Sequence, residues 1–205
     1  MEIAILLFVG ITALDAIGPY EVLSRMPNTR VKFVGKQVGP VKTDNQMCTV
    51  VADYSITDVR KPDILVIPGG WGADEVMKDL QILEWVQSVH QTSIWTTSVC
   101  TGSLVLASTG ILKGQEATTH WTALEELKAL GASAVSKRVV KSGKIVTSAG
   151  VSAGIDMALQ LSAWIGGEDL AKKIQLSMEY DPQPPFDAGT PAKAGDKIVC
   201  MINNK

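Results

Sequence analysis

The 205-residue sequence predicts an α/β fold in which a doubly wound, mostly parallel sheet is sandwiched between helices. Short apolar runs alternate along the chain with segments of helical periodicity, which is typical of successive βαβ units. Several runs are continuously apolar, as expected of strands that are covered on both faces. We find no internal repeat and no linker between two domains, so we expect residues 1–205 to form one domain.

Five apolar runs are the predicted strands of this sheet: residues 3–9, 31–34, 64–67, 94–99 and 145–147. The last of them also belongs to a predicted hairpin, because residues 138–141 and 144–147 flank Ser142-Gly143, a tight-turn signal. This hairpin predicts a small antiparallel addition to the sheet.

The segments between the strands predict six helices, at residues 19–26, 80–91, 102–108, 121–130, 155–164 and 168–178. Pro19 suits the first turn of the first helix. Right-handed crossovers then place the helices on both faces of the sheet. Residues 181–191 are too rich in proline for regular structure and predict an extended arm, which packs on its own domain or reaches a partner subunit.

The composition, with 46% hydrophobic and 20% charged residues, excludes a disordered or collagen-like chain. The formal net charge of −2 does not favour nucleic acid or an anionic membrane as a partner. Three widely spaced cysteines, an odd number, do not form a disulfide framework. The apolar N-terminal run has no basic segment before it and no cleavage site in register, so we expect a strand rather than a signal peptide. We therefore expect a cytoplasmic protein.

The strongest chemical signal is Cys100, which follows the predicted strand 94–99 and precedes Thr101-Gly-Ser and a helix. Ligands of open α/β sheets bind beyond the carboxyl ends of the strands. A thiol at such an elbow lies at a helix N-terminus, whose positive end favours the thiolate. The free amides of that first turn offer an oxyanion site. The alternative is a small buried core cysteine.

Two further segments end at the same edge of the sheet. Gly69 and Gly70 follow the strand 64–67, where glycine lets backbone amides approach a ligand; the alternative is a tight turn. Asp15 follows the first strand, where a carboxylate is either a helix cap or a functional partner of Cys100. His120 is a secondary candidate, as a polar wall or base of the cleft or as a capping or core residue.

A rival site does not fit its own pattern. Residues 150–154 match the G-x-S-x-G elbow of serine hydrolases around Ser152, but that fold places its histidine after the serine. Both histidines, His90 and His120, precede Ser152, so this motif is interpreted as a glycine-rich strand-to-helix turn. The histidines are too far apart, and no cysteines have ligand spacing, for a metal site. We expect no metal and no cofactor.

Together, the Pro68-Gly-Gly turn, the cysteine elbow and Thr118-Thr-His-Trp121 resemble the DJ-1/PfpI superfamily over nearly the whole chain. Residues 14–22, 98–103 and 175–189 resemble its isonitrile hydratase subfamily more narrowly. The resemblance implies a flavodoxin-like, class I glutamine amidotransferase-like fold and an enzyme that hydrates an isonitrile to an N-substituted formamide. It assigns the nucleophile to Cys100, the acid to Asp15 and a supporting role to Thr101.

The resemblance also implies a homodimer, which the proline-rich arm would suit. The wider superfamily uses glutamate as the acid, and its protease-like members have histidine directly after the cysteine; here Asp15 and Thr101 stand instead, which weakens a peptidase interpretation. The alternatives are a redox or stress-response protein with an oxidisable Cys100, a ligand-sensing domain, or another superfamily activity such as a glyoxalase or amidase.

Overall fold

The structure, a computed structural model, describes residues 1–203 and is built on a seven-stranded sheet in the order β10-β11-β7-β6-β1-β2-β5. Six of these strands run parallel, and the edge strand β10 pairs antiparallel with β11. The sheet strands are β1 (Glu2–Leu7), β2 (Arg30–Gly35), β5 (Tyr54–Ser55), β6 (Ile64–Ile67), β7 (Trp95–Val99), β10 (Val139–Ser142) and β11 (Ile145–Ser148).

Two small two-stranded pairs accompany the sheet: a hairpin of β3 (Gly39–Lys42) with β4 (Thr49–Ala52), and β8 (Glu116–Ala117) with β9 (Ser133–Ala134). Neither pair was predicted, because none of these segments is long enough to show a clear apolar alternation.

Helices lie in two layers. One layer holds α1 (Ala13–Leu23), α6 (Ala153–Gly166) and α7 (Glu168–Ser177), which pack on one another. The other holds α2 (Ala73–Val76), α3 (Leu80–Thr92), α4 (Gly102–Ser108) and α5 (Leu124–Ala129), the last preceded by a 3-10 turn at Trp121–Ala123. The doubly wound fold predicted from the sequence is confirmed.

The first helix begins at Ala13 rather than at residue 19. Pro19 lies inside it, where its ring removes only the hydrogen bond to the carbonyl of Asp15. Asp15 is therefore within the first turn, and the interpretation of Asp15 as a helix cap is wrong because Thr12 occupies the cap position.

The C-terminal segment begins without regular structure, and its role as an arm stays a prediction. Residues 181–190 form neither helix nor strand and are exposed. The helices α8 (Pro191–Ala194) and α9 (Asp196–Asn203), which were not predicted, follow it. None of the helices in residues 1–203 combines the length and the apolar character needed to cross a membrane.

The architecture brings the candidate residues to one edge of the sheet. β1 and β6 are adjacent although distant in sequence, so the chain reverses its winding direction between them. Both strands are buried over nearly their whole length. The segments after β1, β6 and β7 emerge side by side at this switch point, which is where open α/β sheets bind ligands.

Candidate active site

Cys100 occupies a strained elbow between β7 and α4. Its φ of 55° lies in the left-handed region, which is uncommon for a residue other than glycine. Its amide donates to the carbonyls of Ser148 at 3.1 Å and Ala149 at 3.0 Å. Its own carbonyl accepts hydrogen bonds from the hydroxyls of Ser103 at 3.2 Å and Thr119 at 3.0 Å. Neighbouring segments thus hold the elbow from both sides, as strain at a functional residue requires.

Cys100 is buried, with 6% of the residue exposed, and it packs with Val99, Val146 and Met157. Burial and the nearby charge of Asp15 raise the pKa of its thiol to about 12. Hydrogen bonds from the amides of Thr101 and Val151 and from the Thr101 side chain lower that pKa without offsetting the rise. The Thr101 amide at the start of α4 favours the thiolate, as the sequence predicts, but burial of the sulfur outweighs it and sets the direction of the net shift of the pKa.

Asp15 is fully buried on the side of α1 that faces the elbow. Its Oδ2 accepts a hydrogen bond from the Gly69 amide at 3.0 Å, whereas no N–H or O–H group of residues 1–203 donates to its Oδ1. Burial raises its pKa to about 7, the Gly69 amide and the Cys100 thiol lower it, and the charge of Asp44 raises it further. Asp15 thus carries an exchangeable proton near neutral pH beside the sulfur.

Gly69 and Gly70 connect the acid to the elbow. The amide of Gly70 donates to the hydroxyl oxygen of Thr101 at 3.0 Å, so both glycine amides have partners here. A Cβ on Gly69 would lie 2.5 Å from the Thr101 amide nitrogen and 3.0 Å from the Cys100 Cβ, so only glycine fits. An oxyanion role for these glycines stays a prediction. It requires their amides to leave Asp15 and Thr101 and to bond the substrate instead.

His120 lies near the elbow without a hydrogen bond to Cys100. Its Nδ1 lies 2.7 Å from the Thr122 hydroxyl and accepts from the Thr122 amide at 3.4 Å, which caps the 3-10 turn. Its ring covers Gly150, where an added Cβ would lie 2.5 Å from the ring carbon Cδ2. Burial lowers its pKa. This geometry fits the polar wall and the cap that the sequence suggested.

A cavity of about 370 Å³ opens beside the elbow. Its lining includes His120, Trp121, Leu124, Val151 and Pro191. The cavity shares Val151 with the surroundings of the Cys100 sulfur, whose pKa the Val151 amide lowers, whereas Cys100, Asp15 and Thr101 themselves do not line it. The volume is within the range of small-molecule sites.

The sequence analysis gave no role to two residues beside the elbow, although both lie in motifs that it quoted. Val151 has a φ of 30°, and its backbone amide lowers the pKa of the Cys100 thiol. The Thr119 hydroxyl donates to the Cys100 carbonyl. The sequence feature that could have indicated Val151 is the motif at residues 150–154. This motif forms the strand-to-helix turn between β11 and α6. Ser152 within it accepts a hydrogen bond from Arg138 at 3.3 Å.

Comparison with known proteins gives this site its context. The sequence model of the DJ-1/PfpI family matches residues 1–163. The chain belongs to the DJ-1/PfpI family. It is 41% identical over 199 residues to the isonitrile hydratase of Pseudomonas putida, covering 97% of this chain and 87% of that protein.

Solved structures of DJ-1/PfpI relatives agree. A THiJ/PfpI family protein from Pseudomonas syringae superposes with a TM-score of 0.95 and 33% identity, covering 99% of this chain and 85% of the other. DJ-1beta of Drosophila melanogaster superposes with a TM-score of 0.80 at 22% identity, covering 88% of this chain and 98% of its own, and supports the fold alone.

Proposed function

We propose that this DJ-1/PfpI protein is an isonitrile hydratase, which adds water to an isonitrile and releases an N-substituted formamide. The observation that carries the proposal is the buried pair of Cys100 and Asp15, whose carboxyl has a pKa of about 7 beside the thiol. The 41% identity with the P. putida isonitrile hydratase over nearly the whole chain supports the same reaction.

The first step joins the sulfur to the substrate. The Sγ–H bond of Cys100 breaks and its proton passes to the Asp15 carboxylate. A sulfur lone pair then bonds the terminal carbon of the isonitrile, and the lone pair of that carbon takes the proton from Asp15. The net change is addition of S–H across one carbon, which leaves a thioimidate on Cys100 and an ionised Asp15.

The second step releases the product. Water adds to the thioimidate carbon, the nitrogen gains a proton, and the C–S bond breaks to give the formamide and the Cys100 thiol. The Thr101 hydroxyl, held by the Gly70 amide at 3.0 Å, is placed to orient that water. The amides of Thr101 and Val151 stabilise negative charge on the sulfur as it attacks and as it leaves.

The cavity beside the elbow suits a neutral substrate. Two cations line it, but Lys137 is paired with Glu116 at 2.8 Å and Arg138 with Asp156. The side chains of Trp121 and Leu124 supply apolar wall. An isonitrile with an uncharged apolar substituent therefore fits better than one that carries a carboxylate.

The redox alternative receives less support. Oxidation by peroxide requires access to the sulfur, and Cys100 is buried, with 6% of the residue exposed. Cys48 and Cys200 are exposed and free, so we expect peroxide to modify them before Cys100.

The test is formamide production from cyclohexyl isocyanide by four proteins: wild type, Cys100→Ala, Thr101→Val and Thr101→Ser. We expect turnover by wild type, retention of most of it by Thr101→Ser, which keeps the hydroxyl, and a loss of about 10²-fold or more in Thr101→Val. A folded wild-type protein without turnover would exclude this substrate and leave another reaction of the family.

We also propose that the protein is a cytoplasmic homodimer. All three cysteines are free, which suits a reducing compartment. The C-terminal segment exposes large apolar side chains, among them Phe186 and Met201, and such a surface is typical of subunit contacts. Sedimentation of the full chain and of a variant that ends at Tyr180 tests this assembly: the full chain is expected to sediment as a dimer and the shortened chain as a monomer.

A further inference from the structure

The turn between β3 and β4 is attached to the segment that precedes Asp15. The Gly10 amide donates to the Lys42 carbonyl at 2.9 Å, and the Asp44 amide donates to the Ile11 carbonyl at 2.9 Å. The Thr12 hydroxyl donates to Oδ2 of Asp44 at 2.7 Å. A residue of the hairpin is thereby fixed next to the catalytic edge of the sheet.

Thr12 is the link between Asp44 and the acid. It stands at the N-cap position of α1, yet its hydroxyl makes no capping bond and is directed to Asp44 instead. Its carbonyl accepts from the Asp15 amide at 3.1 Å, and its amide donates to the Gly69 carbonyl at 2.9 Å. Thr12 therefore holds both Asp15 and the glycine whose amide bonds the Asp15 carboxyl.

We propose that Asp44 is a positioning residue for proton transfer between Cys100 and Asp15, and that the hydroxyl of Thr12 holds its charge in place. This inference rests on the proposed isonitrile hydration for its effect on rate, but its effect on Asp15 can be measured without any substrate.

The charge of Asp44 is held near Asp15 and is not neutralised by a cation. Its Oδ1 accepts from the Asn45 amide at 2.7 Å and its Oδ2 from Thr12, both neutral donors. Within residues 1–203 it forms no salt bridge, and the ammonium group of Lys42 bonds the Gln46 carbonyl at 3.3 Å instead.

Among the groups that face Asp15, the charge that affects its pKa is that of Asp44. From the elbow comes the Cys100 thiol and from the hairpin Asp44, while residues 68–72 include no charged side chain. On the neighbouring α6, Asp156 is engaged by Arg138 and Tyr180.

A negative charge beside Asp15 disfavours its ionised form and so favours transfer of the thiol proton to it. Asp44 raises the pKa of Asp15, whereas the pKa of Cys100 responds to burial, Asp15, Thr101 and Val151. In the form of the pair that holds one proton, Asp44 thereby increases the fraction with a thiolate and a protonated Asp15, which is the reactive form.

The experiment compares Asp44→Asn, which keeps an acceptor for Thr12 but removes the charge, with wild type. Asp53→Asn, an exposed residue at the opposite end of the same hairpin, is the matched control. Asp15 is titrated by carbon NMR of protein labelled at aspartate carboxyls, with its signal assigned by its loss in Asp15→Asn. Rates of formamide formation are measured over the same pH range.

We expect Asp44→Asn to lower the titration midpoint of Asp15 by about half a unit, as befits a partly screened like charge. The rate of isonitrile hydration at high pH should fall about threefold. Half a pKa unit corresponds to about a threefold decrease in the fraction of the pair that holds a thiolate and a protonated Asp15. Asp53→Asn should change neither. An unchanged Asp15 midpoint in Asp44→Asn, or an equal change in Asp53→Asn, would overturn the proposal whether or not the wild type hydrates isonitriles.

The role of Thr12 is tested by Thr12→Val, which keeps the shape and removes the hydroxyl. We expect a shift of the Asp15 midpoint in the same direction, because the Asp44 carboxylate is no longer held near Asp15. Adding Asp44→Asn should then cause little further shift, and additive shifts in the double variant would show that Thr12 does not hold the Asp44 charge in place.

Discussion

The carboxylate of Asp15 raises the pKa of the Cys100 thiol, while the thiol lowers the pKa of Asp15. With the pKa of Asp15 at about 7 and that of Cys100 at about 12, the pair holds two protons below neutral pH and one above it. The single remaining proton can move from sulfur to carboxyl and then to the substrate carbon. This relationship gives the reaction its pH dependence.

The rate of isonitrile hydration should rise with pH through about 7. Below that pH, Asp15 already carries a proton and cannot accept the one from Cys100. The measurement is kcat/KM from about pH 5 to about pH 9, with an enzyme-free blank at each pH because acid hydrates isonitriles. A rate that falls as pH rises through 7 would mean that the doubly protonated pair is the reactive one.

Asp15→Asn should make folding less sensitive to pH. The wild-type pKa of about 7 exceeds the unfolded value of 3.8, so the folded state binds this proton more tightly. The stability contributed by Asp15 is present below pH 3.8 and is lost as pH rises to about 7.

The free energy of unfolding of Asp15→Asn, relative to wild type, should therefore increase by about 2.5 kcal/mol between about pH 5 and about pH 8. Urea unfolding at both pH values measures it, and Asp53→Asn, which is exposed, serves as the control. Parallel pH dependence of wild type and Asp15→Asn would contradict the raised pKa.

Gly69→Ala should reduce both stability and turnover. Its Cβ would lie 2.5 Å from the Thr101 amide nitrogen, so the elbow or the loop must shift, at a cost of about 2–4 kcal/mol. The shift separates Asp15 from Cys100 and should lower kcat at least about tenfold. In Gly143→Ala, by contrast, the Cβ meets no atom within 4 Å and only the positive φ of 59° is strained. That control should lose about 1 kcal/mol and keep its activity.

His120→Asn should retain most of the activity. The Nδ1 of His120 is occupied by the Thr122 hydroxyl and amide, and asparagine is a good N-cap. We expect less than about a tenfold loss in kcat, whereas a general base would cost about 10²–10⁴-fold. A loss in the larger range, with the melting temperature unchanged, would assign proton transfer to His120.

The sequence was sufficient for the fold class and for the three segments that meet at the site. β6 is short and wholly apolar, and β7 runs directly into Cys100, so both strands are visible without any tertiary information. Gly69 was visible because a Pro-Gly-Gly turn after an apolar strand is a local pattern.

The surroundings of the sulfur were not predictable from the sequence. Val151 acts through a backbone amide, which every residue except proline carries, so its side chain gives no signal. Asp44 reaches Thr12 from 32 positions away through a hairpin without a clear apolar alternation. The net direction of the Cys100 pKa shift is set by burial, which comes from several segments of the fold, whereas the sequence shows only the helix terminus that lowers this pKa.

The most direct test of the central claim is the intact mass of the Thr101→Val protein after mixing with cyclohexyl isocyanide, followed by peptide mapping. We predict a covalent adduct on Cys100 whose added mass is that of one whole isonitrile molecule. The reason is that the first step adds the S–H group across the isonitrile carbon and releases no leaving group. Slower water attack should let this adduct accumulate. Formamide production that persists in Cys100→Ala, or an adduct on Cys48 or Cys200 alone, would contradict the assignment of Cys100 as the nucleophile.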